Sequence, residues 1–176
     1  LKKKKEKIDF CLVGEPTNPN KLGEMIKIGR RGSLTGKLTI LGSQGHVAYP
    51  QRANNPSTTI IKILKEIKEI TFDKGTKNFQ PTNLEVTKIN INNTADNVIP
   101  AIAEATFNIR FNNKHSSNSI KKKLNKIFGK ISKKNKSKFR VKYRVSGEAF
   151  LTKPNKTTYM IQNTIKKITK IKPKLS

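Results

Sequence analysis

Cysteine, tryptophan and acidic side chains are what this chain has least of. Its single cysteine, Cys11, has no partner for an internal disulfide, which excludes a cross-linked secreted scaffold and makes a reducing cytoplasm the expected compartment. Cys11 lies in the apolar run Phe10-Cys11-Leu12-Val13, where a small thiol is expected to be buried and inert. Tryptophan is absent and tyrosine scarce. No apolar run approaches the ~20 residues that a membrane span needs, because lysine interrupts every one. After Leu1-Lys2-Lys3-Lys4-Lys5-Glu6-Lys7 there is no apolar signal core, so secretion is not expected. The first residue is Leu rather than Met, and the chain is expected to be part of a longer reading frame.

With 176 residues there is room for one domain with a real core plus pieces of another. Lys and Arg number 38 against 11 acidic residues, a formal charge of +27, and such a balance ordinarily puts nucleic acid first among partners. The distribution argues otherwise. Arginine, the side chain suited to bidentate phosphate and guanine contacts, occurs only at positions 30, 31, 52, 110, 140 and 144. The remaining charge is scattered lysine accompanied by abundant Ile and Asn, the mixture that drift toward A/T-rich codons produces in any protein. Loose attraction to polyanions is expected as a side effect.

Apolar spacing divides the chain into elements. Ile8–Val13 reads as a buried strand ending at Gly14-Glu15-Pro16-Thr17, and Glu24–Leu41 is strand-like until Gly42-Ser43-Gln44-Gly45 breaks it. Asn55-Pro56 caps a helix whose stripe is Ile60, Ile63, Leu64 and Ile67. Leu84–Ile91 is a strand whose parity shifts between Val86 and Ile89, which points to a bulge. Ala103, Ala105, Phe107, Ile109 and Phe111 alternate with polar residues, which puts Arg110 on an open face. A second amphipathic helix covers Ser116–Lys130, a fourth strand Phe139–Val145, and a third helix residues 156–171. Between residues 30 and 146 the order is β-α-β-β-α-β. The expected fold is therefore α+β: a ferredoxin-like lid with a four-stranded antiparallel sheet and two helices on one face. Residues 1–29 and 147–176 do not belong to that plan and look like the cut edges of a second domain.

Composition alone makes no active site. There is no Cys pair, no His-x-x-x-His spacing and no phosphate loop between strand and helix. Polar residues standing at element ends beside Gly or Pro are Glu15, Arg30, Ser33, His46, Tyr49 and Asn97, joined by Arg110 on the open face; loop ends on a rigid scaffold are where sites are usually built. Each also has an ordinary reading. Glu15 and Asn97 suit turns, His46 an exposed loop, His115 a helix N-terminus, and Arg30 and Arg110 plain surface charge.

Five blocks taken together change that balance. Val13-Gly14-Glu15-Pro16-Thr17, Gly29-Arg30-Arg31-Gly32-Ser33-Leu34-Thr35-Gly36, Gly45-His46-Val47-Ala48-Tyr49-Pro50 with Asn55-Pro56, Asp96-Asn97-Val98-Ile99-Pro100 and Phe107-Asn108-Ile109-Arg110-Phe111 resemble the succinyl-diaminopimelate desuccinylases. These belong to the dizinc family of aminoacylases and carboxypeptidases. The related acetylornithine deacetylases would not be expected to carry the Gly-Arg-Arg-Gly-Ser block or the Tyr-Pro. The resemblance implies that residues 30–146 are a lid, or dimerisation, domain inserted in an α/β zinc-hydrolase domain, to which residues 1–29 and 147–176 contribute. It implies zinc-dependent hydrolysis of N-succinyl-LL-2,6-diaminopimelate to succinate and LL-2,6-diaminopimelate, in lysine and diaminopimelate biosynthesis, by a homodimer. Glu15 would be a ligand to one of two zinc ions, the second site being open to cobalt. His46 would reach across the dimer to stabilise the oxyanion, Tyr49 and Asn97 would hold the succinyl end, and Arg30, Ser33 and Arg110 the diaminopimelate carboxylates. Asp96 stands where such proteins often have Asn. The other metal-ligand blocks and the general base of the family are missing, so this stretch alone is expected to be inactive and to bind no metal tightly.

Two other readings compete with it. One is a different deacylase of the same family. The other is a basic ferredoxin-like module for nucleic acid or for dimerisation; binding of RNA bases would call for aromatics on the open sheet face, whereas Phe107, Phe111, Phe139 and Tyr143 share the apolar parity.

Overall fold

The computed structural model describes residues 7–14, 16 and 18–176; Glu15 lies outside the described residues. In chain order the elements are β1 (Met25–Ile26), β2 (Gly29–Arg30), β3 (Gly32–Leu41), β4 (Gly45–His46), a 3-10 turn (Pro50–Arg52), α1 (Pro56–Lys68), β5 (Asn83–Asn90), β6 (Val98–Ile99), β7 (Ile102–Phe111), α2 (Ser117–Lys134), β8 (Lys138–Gly147), β9 (Phe150–Leu151), α3 (Lys156–Thr169) and β10 (Lys174–Leu175). They fall into two compact units: Gly29–Thr152, and the stretches up to Ile28 and from Lys153 onward.

The larger unit is built on an antiparallel sheet of order β5-β7-β3-β8, with α1 and α2 packed on one face and against each other. The period-2 pattern of β3 and β7 explains the layering: Leu34, Leu38 and Ile40 on one strand and Ala103, Ala105, Phe107, Ile109 and Phe111 on the other are all buried, while their polar neighbours face the open side. The helices close the core with Ile60, Ile63 and Ile67 from α1 and Ile120, Leu124 and Phe128 from α2. Asn55 caps α1 through a hydrogen bond from the Ser57 N–H at 2.9 Å, with Pro56 at the first helical position. Ser116 and Ser119 form a reciprocal capping box on α2. Opposite Phe107 the strand carries Gly36, where a Cβ would lie 2.2 Å from the aromatic ring. The bulge expected in the third long strand is present between Val86 and Lys88.

In the smaller unit β1 pairs in parallel with β10, and α3 starts in a capping box of Asn155 and Thr158. The Gln162 amide is buried and donates to the Pro173 carbonyl at 2.6 Å. On α3, Met160 and Ile168 are exposed, and Ile161 and Ile165 half-buried. Two expectations need correction. Ile8–Val13 forms no strand, and Ile8, Phe10, Cys11, Leu12 and Val13 are exposed. A buried strand needs ladder partners, and none of the described strands pairs with this stretch. Glu24–Leu41 is also not one strand: β1, β2 and β3 pair with three different partners, β10, β9 and the sheet.

Between α1 and β5 runs a long connection with little regular structure, held by one carboxylate. Asp73 accepts from the Gly75 N–H at 2.5 Å, the Asn112 amide at 2.6 Å and the Thr82 N–H at 3.2 Å. It also pairs with His115 Nε2 at 3.1 Å. His115, which precedes the α2 cap, thus ties the connection to the end of β7. Burial alone would raise the Asp73 pKa, but hydrogen bonds from Thr82, Gly75 and Asn112 outweigh it and hold the carboxyl at about 2. Because the folded value lies below the unfolded one, Asp73 contributes stability that is full above about pH 4 and lost as pH falls through about 2. Asp73→Asn should lower the urea midpoint at neutral pH and flatten the loss of stability between those pH values; an unchanged acid limb would show that other carboxylates carry it.

Candidate substrate-binding site

Past the end of β3 the chain leaves the sheet as a short arm. The Gly42 N–H donates to the Ala101 carbonyl at 2.8 Å, and Ser43 and Asn54 exchange backbone hydrogen bonds of 3.0 Å in each direction. Position 42 must be glycine for this approach, since a Cβ there would lie 2.0 Å from the Asn54 carbonyl oxygen. β4 then pairs antiparallel with β6, His46 opposite Val98, and the Val47 N–H donates to the Asn97 carbonyl at 3.0 Å. These bonds bring His46, Tyr49 and Asn97 onto one arm. Asn54, which spacing did not single out, steadies it: its amide donates to the Lys136 carbonyl at 2.6 Å and its carbonyl accepts from the Ser137 hydroxyl at 3.2 Å.

His46 is exposed and its orientation is set from within the arm. The Ala48 N–H, which can only donate, points at His46 Nδ1 at 3.1 Å. Nδ1 is therefore the acceptor, and the ring proton of the neutral imidazole sits on Nε2, free to donate outward. The Tyr49 ring lies beside it with centroids 6.1 Å apart, and the Arg52 guanidinium stands over the Tyr49 ring at 5.3 Å.

At the opposite end of the same strands a second cluster forms. Ser33 and Arg110 are direct cross-strand partners, so both face the open side. Ser33 is 4% exposed and its hydroxyl accepts from the Asn108 amide at 3.5 Å; the same amide donates to Thr35 at 2.9 Å. Arg110 is exposed. Arg30 lies on β2, opposite Phe150 of β9, in a separate two-stranded sheet. From Ser33 to Leu41, where the arm begins, is eight steps of strand at ~3.3 Å each, or roughly 26 Å. The arm and the Ser33–Arg110 pair thus stand at opposite ends of β3 within one chain.

Elsewhere the open face is polar and basic. Lys37 and Glu104 pair across it at 3.0 Å, and the Lys37 hydrogen bond, against partial burial and with help from Thr39, holds the Glu104 carboxyl below its usual range. Phe107 and Phe111 are buried, and Phe139 and Tyr143 pack on the helix side, so these rings are not available for stacking on bases. Among the described residues no three His, Cys, Asp or Glu side chains converge on a possible metal position, and no helix is long and apolar enough to cross a membrane.

Residues 28–136, well over half of the chain, match the peptidase dimerisation domain family. The chain belongs to that family. Over all 176 residues the dimerisation-domain chain is 83% identical to a succinyl-diaminopimelate desuccinylase of Pelagibacter ubique, of which it covers 46%. It is 47% identical to another from Parvibaculum lavamentivorans, of which it covers 45%. It thus spans about half the length of the curated relatives it matches. Solved structures give the same fold at low identity. A tripeptidase from Staphylococcus aureus superposes with a TM-score of 0.70 at 16% identity, over 88% of this chain and 40% of that one. An aminopeptidase from Bacillus cereus gives 0.72 at 15%, over 90% and 40%. The expected α+β, ferredoxin-like lid fold is in place.

The imidazole geometry is directly checkable. In alkaline buffer, nitrogen NMR of the labelled protein should show His46 as the Nε2–H tautomer; a dominant Nδ1–H form would mean that the Ala48 contact does not govern the ring.

Proposed function

We propose that this chain is the dimerisation segment of a zinc-dependent amidohydrolase that cleaves N-succinyl-LL-2,6-diaminopimelate, as its curated relatives' names suggest, and that it works as a homodimer. The observation that carries the reading is the separation within one chain of the arm from the Ser33 and Arg110 pair. A site containing both is completed when the arm of one protomer meets the arginine end of its partner. His46 then acts in trans, its Nε2–H donating to the oxygen that gains negative charge as water adds to the amide carbonyl. Tyr49 and Asn97 hold the succinyl end. Arg30, Ser33 and Arg110 hold the carboxylates of the amine end, where guanidinium donors suit paired oxygens. The C–N bond breaks and the amine departs with a proton, leaving succinate and diaminopimelate.

Glu15 is assigned as a metal ligand on the resemblance alone. The described residues offer no metal site, so the zinc pair, with cobalt an alternative at the second position, requires ligands from the rest of the hydrolase, and the segment alone is proposed to be inactive. Boundaries at 30 and 146 are proposed for the lid, with the flanks belonging to the catalytic domain.

In the full-length protein, His46→Ala should cut kcat by about 10²–10³-fold with bound metal unchanged. Mixing that variant with Glu15→Ala subunits should restore part of the activity, because one site in the mixed dimer receives both intact residues. Activity no greater than the sum of the parents would defeat the shared site. Replacing Arg110 with Ala should chiefly raise KM, since carboxylate binding is made equally in ground and transition states; an unaltered KM would remove Arg110 from the site.

A further inference from the structure

The acyl group of the proposed substrate ends in a free carboxylate, yet the arm residues assigned to hold it, Tyr49 and Asn97, are neutral. A carboxylate leaving water needs a cation or several strong donors to offset its desolvation. Across residues 42–55 of the arm and the facing stretch 91–99 the sequence holds one Lys or Arg side chain, Arg52; the facing stretch supplies instead an acid, Asp96. His46 brings a single outward N–H.

Arg52 is the last residue of the 3-10 turn that follows Tyr49, and its N–H donates to the Tyr49 carbonyl at 3.0 Å. That turn folds the guanidinium back over the Tyr49 ring, 5.3 Å from its centroid, where the ring's electron-rich face favours it. Contact with an aromatic face uses no N–H donors, and Arg52 takes part in none of the ion pairs among the described residues. Its five donors therefore stay available, on a platform beside the catalytic imidazole.

We propose that Arg52 is a specificity-determining residue that pairs with the terminal carboxylate of the acyl group, Tyr49 serving as the surface that holds it. This rests on the desuccinylase reading above and deepens it. It makes the arm selective for acyl chains that end in a carboxylate over chains of equal length that end in a methyl group.

The test uses the full-length protein with N-succinyl- and N-butyryl-diaminopimelate. Arg52→Met, which keeps the stem and removes the charge, should lower kcat/KM for the succinyl substrate by about 10- to 100-fold, mostly through KM, and leave the butyryl substrate unchanged. Arg52→Lys should recover part of the loss. Equal losses on both substrates would show that Arg52 only shapes the arm and would overturn the assignment, as would a parent enzyme that does not prefer succinyl to butyryl. A parent enzyme that hydrolyses neither overturns the desuccinylase reading itself, and that result appears without any substitution at position 52.

Discussion

Ten consecutive residues of β3 pair in one register with ten of β7, Gly32 with Phe111 through Leu41 with Ile102. Because side chains alternate along a strand, slipping this ladder by one residue would turn every buried side chain outward. A slip of two would keep the faces but move the Phe107 ring from Gly36 onto Leu34 or Leu38, where there is no hollow to receive it. Both errors are expensive, so the register is held firmly. The same pairing that encloses Leu34 with Ile109 also sets Ser33 beside Arg110 on the other face, and this candidate pair inherits the precision of the core.

Charge is handled differently in the two halves of the lid. The core takes in few polar groups, and in the connection beside it the Asp73 carboxylate is surrounded by donors from three parts of the chain. The open face tolerates lysine and arginine because water screens them. A high net charge is thus compatible with this fold without being needed by it, which fits a drift in composition better than a demand for polyanions.

Much of this was readable from residue order. Asn55-Pro56 and the stripe behind it mark α1 because cap and periodicity are local signals, and the parity change after Val86 marks the bulge for the same reason. The seven residues singled out for chemistry were marked by Gly and Pro neighbours and by resemblance, and six lie in the larger unit: three on the arm, Ser33 and Arg110 together, Arg30 apart. What escaped depends on partners distant in sequence. Asn54 meets Lys136 and Asp73 meets His115; the contact of Arg52 with Tyr49 is local, but it depends on a turn that no apolar spacing announces. Ile8–Val13 failed in the opposite sense: an apolar run shows a wish to be buried but cannot name the neighbours that would bury it.

The arm leaves from one end of β3 and the Ser33 cluster begins at the other, so in the proposed dimer the strand would act as a gauge bar. Deleting two residues from its middle would preserve inside–outside parity, yet it would draw the two ends closer by ~7 Å. If the sites are shared across a dimer as proposed, both would lose their fit at once, although every residue assigned to substrate would still be present. On that proposal a length matters as well as a set of residues, and an insertion in β3 or β7 would have to be matched in its neighbour strand to keep the register.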